Sequence, residues 1–273
     1  MPNAFRKRIV ILGAVAAVLT APPAARATDE IQVYNAEIAE VGQYELEQHL
    51  NYTAHGPTRA DFVGGLIPNH SLNGTPELAY GVTEWWELGL YAPFAVDQQG
   101  RFFSDGFKVR TQFVTPEAES RAFFYGANFE FSYTTPTFSQ TRFTAELRPI
   151  VGVRNSAFEF IVNPIVDFAP GDHGATTFAP AARLAHKFEK DLSLGLEYYA
   201  DFGQIGHFSP LNKQQHNLFA VADFKLGDFD IDFGVGHGFT RGSDQLIFKA
   251  IIGYAFPVSE TSSSLAHWLK KIF

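Results

Sequence analysis

The chain has 273 residues and a formal net charge of −8, with 28 phenylalanines, 10 tyrosines and 23 glycines but no cysteine. A disulfide framework is excluded, and an acidic balance without a basic stripe argues against a protein built to hold nucleic acid. The aromatic content suits a β-rich fold, while length alone leaves open one large β-domain or two smaller ones.

The amino terminus reads as an export signal. Arg6, Lys7 and Arg8 form a positive start, an apolar run follows from Ile9 to Leu19, and Ala25-Arg26-Ala27 gives a small-x-small cleavage pattern. The apolar run is shorter than the roughly 20 residues a spanning helix needs. Residues 1–27 are therefore expected to be a cleaved signal peptide, with Thr28 the first mature residue. Residues 28–42 follow as a periplasmic N-terminal segment; Ile31, Val33 and Asn35 alternate briefly before Gly42, which suits a small plug in the periplasmic mouth or an added rim strand.

From Gln43 a period of two sets in. Tyr44, Leu46, Leu50 and Tyr52 fall on one side, Glu45, Glu47, His49 and Asn51 on the other, and Gln48 is the awkward member of the apolar set. The same alternation is expected to build strands over residues 77–82, 86–94, 106–115, 123–133, 143–153, 158–166, 178–188, 192–200, 218–224, 229–235 and 246–256. With 43–53 that makes twelve. An even number of strands, many near the length of about 10 residues that crosses a membrane at a tilt, predicts an all-β fold: an antiparallel transmembrane up-and-down β-barrel over 43–256.

The connections support this. Long polar ones after Thr53, Phe94, Tyr133, Phe168, Phe202 and Gly238 alternate with tight ones near Glu84, Pro116, Asn155, Lys190 and Gly227, as extracellular loops alternate with periplasmic turns. Residues 54–74 are long enough for a lid. The last strand ends on Phe256, an ending suited to recognition by the barrel-insertion machinery. In the tail, 257–273, Leu265, Trp268, Leu269 and Ile272 fall at helical spacing opposite Lys270 and Lys271, so a short C-terminal amphipathic helix is expected in the periplasm.

If apolar positions meet lipid, charges mark the lumen, since a basic residue at the bilayer midplane costs about 2–4 kcal/mol. The expected lining is Glu45, Glu47, His49, Glu77, Glu87, Lys108, Arg110, Glu130, Glu146, Arg148, Glu159, Asp167, Arg183 and Glu197. Cross-strand pairing is expected for Glu87 with Lys108 and Arg110, Arg110 with Glu130, and Arg148 with Glu159. Acids outnumber bases in this set, which favours cations or polar neutral solutes.

The segments IQVYNAEIAEVGQYELEQHLNY, YGVTEWWELGLY, VNPIVDF and LGLEYYADFG resemble a group of proteobacterial outer-membrane β-barrel transporter proteins. That group is related to the barrels of the phenol-degradation (MetA-pathway) type. The resemblance runs from about Ile31 to Phe256 and implies a fold and an outer-membrane location in a Gram-negative bacterium, with no catalytic motif to carry over. The tail beyond Phe256 departs from the usual ending.

Enzymatic and metal readings are weaker. His216 with Ser209, and His237 with Ser243, form no nucleophile motif. His49 beside Glu47, and His55, His70 and His173, lack the short His spacing of a local metal site, so no metal or other cofactor is expected. The sequence thus points to a non-enzymatic barrel passing small solutes through an acid-rich lumen, with outer-membrane lipid and the insertion machinery as its partners. The alternatives are a non-conducting barrel that acts through its extracellular loops and, with less support, a lipid-modifying enzyme.

Overall fold

The computed structural model describes residues 30–171, 174–189 and 191–257. The expected signal peptide and the C-terminal helix lie outside the described residues.

The strands are β1 (Tyr44–His55), β2 (Ser71–Thr83), β3 (Trp86–Tyr91), β4 (Phe94–Val96), β5 (Phe102–Ser104), β6 (Phe107–Val114), β7 (Phe123–Tyr133) and β8 (Phe143–Arg154). They continue with β9 (Phe158–Asn163), β10 (Val166–Phe168), β11 (Thr176–Phe178), β12 (Ala181–Glu189), β13 (Leu192–Asp201), β14 (Gln215–Leu226), β15 (Phe229–Gly238) and β16 (Leu246–Ala255). Twelve of them form an antiparallel ring in the order β1, β2, β3, β6, β7, β8, β9, β12, β13, β14, β15, β16, closed because β1 pairs with both β2 and β16. The remaining four are continuations past local breaks. β4 and β5 extend β3 and β6 beyond Pro93 and Asp105-Gly106, and β10 and β11 extend β9 and β12 beyond Pro164 and Pro180.

Alternation sets the faces as expected. On β7, Phe123, Tyr125, Phe129 and Phe131 are exposed on the outside, while Phe124, Asn128, Glu130 and Ser132 are buried. Gln48, the polar member of the outward set on β1, turns its amide to the His49 carbonyl at 2.9 Å. Aromatic rings gather at both ends. Trp85, Trp86 and Phe113 stack at the tight-turn end, and Phe107, Tyr133 and Phe143 meet at the long-loop end.

Two connections differ from expectation. Residues 115–122, expected to be tight, carry a 3-10 turn at Ala118–Ser120. Strand β2 begins at Ser71, so the candidate lid is 56–70; its Leu66 amide donates to the Thr137 carbonyl of the β7–β8 loop at 2.9 Å, past β3 and β6.

Residues 30–41, expected as a periplasmic segment that plugs the mouth or adds a rim strand, lie inside the barrel. Val41 bridges Gly81 of β2 in parallel, and Gly81 is required there because a Cβ would collide with the Ala39 and Glu40 carbonyls. From that rim the segment climbs the interior, burying Val33, Tyr34 and Ala36 against Val114, Phe124, Ile150, Ile161, Ile165 and Ala181. The core of this protein is therefore inside its barrel. At the tight-turn end the segment and the 115–122 connection also border a cavity of about 430 Å³, lined by Ile38, Glu40, Glu84, Val114 and Glu117 among others.

Candidate functional site in the barrel lumen

Because side chains alternate, every lumen candidate read from the sequence sits on the inner face, but the strands bring them together in clusters rather than as an even lining. The first cluster belongs to β1, β2, β3 and β6. Arg110 holds Glu77 at 2.5 Å and Glu87 at 2.7 Å, and Glu87 also accepts the Ala39 amide at 2.6 Å. His49 stands 3.3 Å from both Glu47 and Glu77, and Glu45 lies next to Glu47 beside Gly253.

The second cluster is built around the internal segment. The Tyr34 amide donates to Asn163 at 2.7 Å and Asn163 donates back to the Tyr34 carbonyl at 3.1 Å, a two-way clamp on one residue. The Tyr34 hydroxyl meets Tyr91 at 2.9 Å and Glu130 at 3.3 Å, and the Arg148 guanidinium lies over its ring, 4.1 Å from the centroid. Arg148 grips Glu146 with two bonds of 2.7 and 3.1 Å. Lys108 reaches Glu30 at 3.3 Å and Glu130 at 3.7 Å. Asp167 faces Glu146 across β10 and β8 and accepts a long hydrogen bond from Thr177 at 3.5 Å.

The third cluster crosses β12 to β16. Glu197 receives Arg183 at 2.6 Å, Lys249 at 2.5 Å and the Tyr199 hydroxyl at 2.7 Å. Arg183 also pairs with Asp223, and Lys249 with Asp232 at 3.1 Å and the Ile31 carbonyl at 3.2 Å.

The expected pairings hold only in part. Glu87 pairs with Arg110, but Lys108 turns to Glu30 and Glu130, and Arg110, although in register with Glu130, swings to Glu77 and Glu87. Arg148 takes Glu146 on its own strand, and Glu159 takes Arg154 at 2.9 Å. The reason is local: Glu159 is directly opposite Arg154, whereas Arg110 can lie across Gly89, which offers no side chain to stop it. Sequence reasoning missed Tyr34, Asn163, Arg154, Asp223, Asp232 and Lys249. Alternation could have found the last one, since Lys249 sits between Phe248 and Ala250 on the strand that ends at Phe256.

No protein-family model matches the sequence, and no curated protein matches it. Solved structures do. The COG4313 outer membrane channel from Pseudomonas putida F1 superposes with a TM-score of 0.58 at 13% identity, covering 83% of this chain and 100% of that one. The KdgM porin gives 0.52 at 12%, covering 78% and 99%, and the NanC porin 0.50 at 9%, covering 78% and 98%. At such identities the likeness is one of fold, and the fold is the closed barrel of outer-membrane channels and porins.

Proposed function

We propose that the protein is an outer-membrane channel for passive movement of small polar solutes, with residues 30–41 as its constriction. The observation that carries this reading is an interior lined by acidic and basic side chains inside a barrel turned apolar side out. An interior that had only to hold the fold would be served as well by packed apolar residues, since exchanging a buried ion pair for these is often neutral or stabilising. Acids outnumber bases along the wall, so cations are preferred over anions.

The apolar belt and the two aromatic girdles support an outer-membrane location, with lipid around the barrel and the strand ending at Phe256 presented to the insertion machinery. Removal of residues 1–27 as a signal peptide fits the same route. Kinship with the phenol-degradation type rests on the resembling segments, and the channels and porins that share the fold favour transport over lipid chemistry.

One observation favours a closed barrel instead: Tyr34 is tied to β3, β7 and β9 at once, so the constriction is firmly held. Planar-bilayer recording of the refolded mature chain decides. Small cation-preferring steps that grow several-fold when residues 30–41 are deleted are the expected result. Silence from both proteins, with folding confirmed by a heat-modifiable band, moves the function to the extracellular loops.

A further inference from the structure

Glu47 and His49 are two residues apart on β1, so both point into the barrel, and Glu77 faces Glu47 across the β1–β2 pair. Each offers one ligand atom, and these atoms all lie within 4.8 Å of one another. His49 Nε2 is 3.3 Å from Glu47 Oε2 and 3.3 Å from Glu77 Oε2. Donors at about 2.0–2.1 Å from a tetrahedral zinc ion stand about 3.3–3.4 Å apart, so both contacts have the length of a coordination edge. They are long for a charge-assisted hydrogen bond, which the neighbouring Arg110–Glu77 pair makes at 2.5 Å.

Hydrogen bonding does not satisfy the imidazole. His49 is 1% exposed, its Nδ1 has no hydrogen-bond partner, and a single proton on Nε2 cannot serve two carboxylates well. The surroundings suit a cation. Arg110 holds Glu77 through Oε1 alone, which fixes the carboxylate and leaves Oε2 turned to His49. Arg110 is shared by Glu77 and Glu87, while the carboxylates of Glu45 and Glu47 stand together beside Gly253. Opposite Glu47 on β16 is Gly253, and the atoms nearest to where its Cβ would stand are Glu45 Oε1 at 3.6 Å and Asp230 Cβ and Glu47 Oε1 at 3.7 Å.

We propose that Glu47, His49 and Glu77 form a lumen-wall site for a divalent transition-metal cation, Zn²⁺ or an ion of similar preference. One imidazole with two carboxylates suits such ions better than Mg²⁺ or Ca²⁺, which take all-oxygen shells. The ion ties β1 to β2, beside the seam where the first and last strands close the ring. Nothing in this depends on whether the lumen conducts.

The test is calorimetric titration of Zn²⁺ into the refolded mature barrel in detergent, with Glu47→Gln and His49→Gln alongside and folding checked by the heat-modifiable band. Glu47 is the mild probe, being a quarter exposed and paired with His49 rather than with an arginine or lysine. One ion per wild-type barrel, bound about tenfold or more weakly by each folded variant, is expected. The proposal is overturned by a wild-type barrel that binds no stoichiometric Zn²⁺, or by binding that persists unchanged in folded Glu47→Gln. Should His49→Gln fail to fold, the wild type and Glu47→Gln decide alone.

Discussion

Arg110 shows what a single lumen residue does here. Its guanidinium bonds Glu77 and Glu87 and its head lies within 6 Å of the Tyr34 and Tyr91 rings, at 5.7 and 5.8 Å. A pair of buried carboxylates sharing one base is costly to break, because the partners stay behind without compensation. Arg110→Ala is expected to destabilise the barrel by about 3 kcal/mol or more, read as a lower temperature for the heat-induced gel shift. Replacing Glu77 and Glu87 by glutamine in the same chain should recover part of that loss, since the stranded charges go with them. Recovery absent from the triple variant would mean that Arg110 acts by packing on the tyrosines instead.

At the scale of strands, glycine is placed where a large side chain on the next strand needs room, inside the barrel or, for Phe94, on its outer face. Phe124 faces Gly152, Phe219 faces Gly236, and Phe94 faces Gly74, and in each case an added Cβ would overlap the ring. Gly152→Leu should therefore cost about 1–3 kcal/mol by overpacking, and Phe124→Ala in the same chain should restore part of it, a coupling that thermal gel shifts of the four proteins would measure. Additive losses would show that the ring and the glycine do not meet.

The strands themselves were legible because one face meets lipid, and that writes a strict period of two into residues such as Phe123 to Tyr133. The start of β2 was not. Asn73, Gly74 and Pro76 read as loop residues, yet the strand runs through them. Strand N–H and C=O groups of one residue point the same way, and the Pro76 carbonyl accepts from Ala92 at 3.1 Å, so its missing donor faces the break between β3 and β4. The ion pairs were less legible than the strands. Register fixes which residues are opposite, but long side chains choose partners by where a glycine leaves a path, as Arg110 does over Gly89.

For the whole molecule, the decisive feature is the chain that enters its own barrel, and the sequence marks it only faintly. Residues 30–41 follow no sustained period, since the segment is held by its backbone against several walls: Lys249 takes the Ile31 carbonyl, Arg148 that of Gln32, Arg154 that of Asn35, and Gln112 that of Glu37. Backbone acceptors carry most of the attachment, and backbone atoms leave no mark in a sequence. Tyr34 and Asn163 are the exception, because there a side chain clamps both polar groups of one residue. If this clamp sets the width of the pathway, Tyr34→Ala and Asn163→Ala should each raise single-channel conductance while leaving the heat-modifiable band intact. Both changes act on one tether, so the double variant should gain less than the product of the single effects. A multiplicative gain would place the two residues on separate constraints, and unchanged conductance in all three would place the narrowest point elsewhere in the lumen.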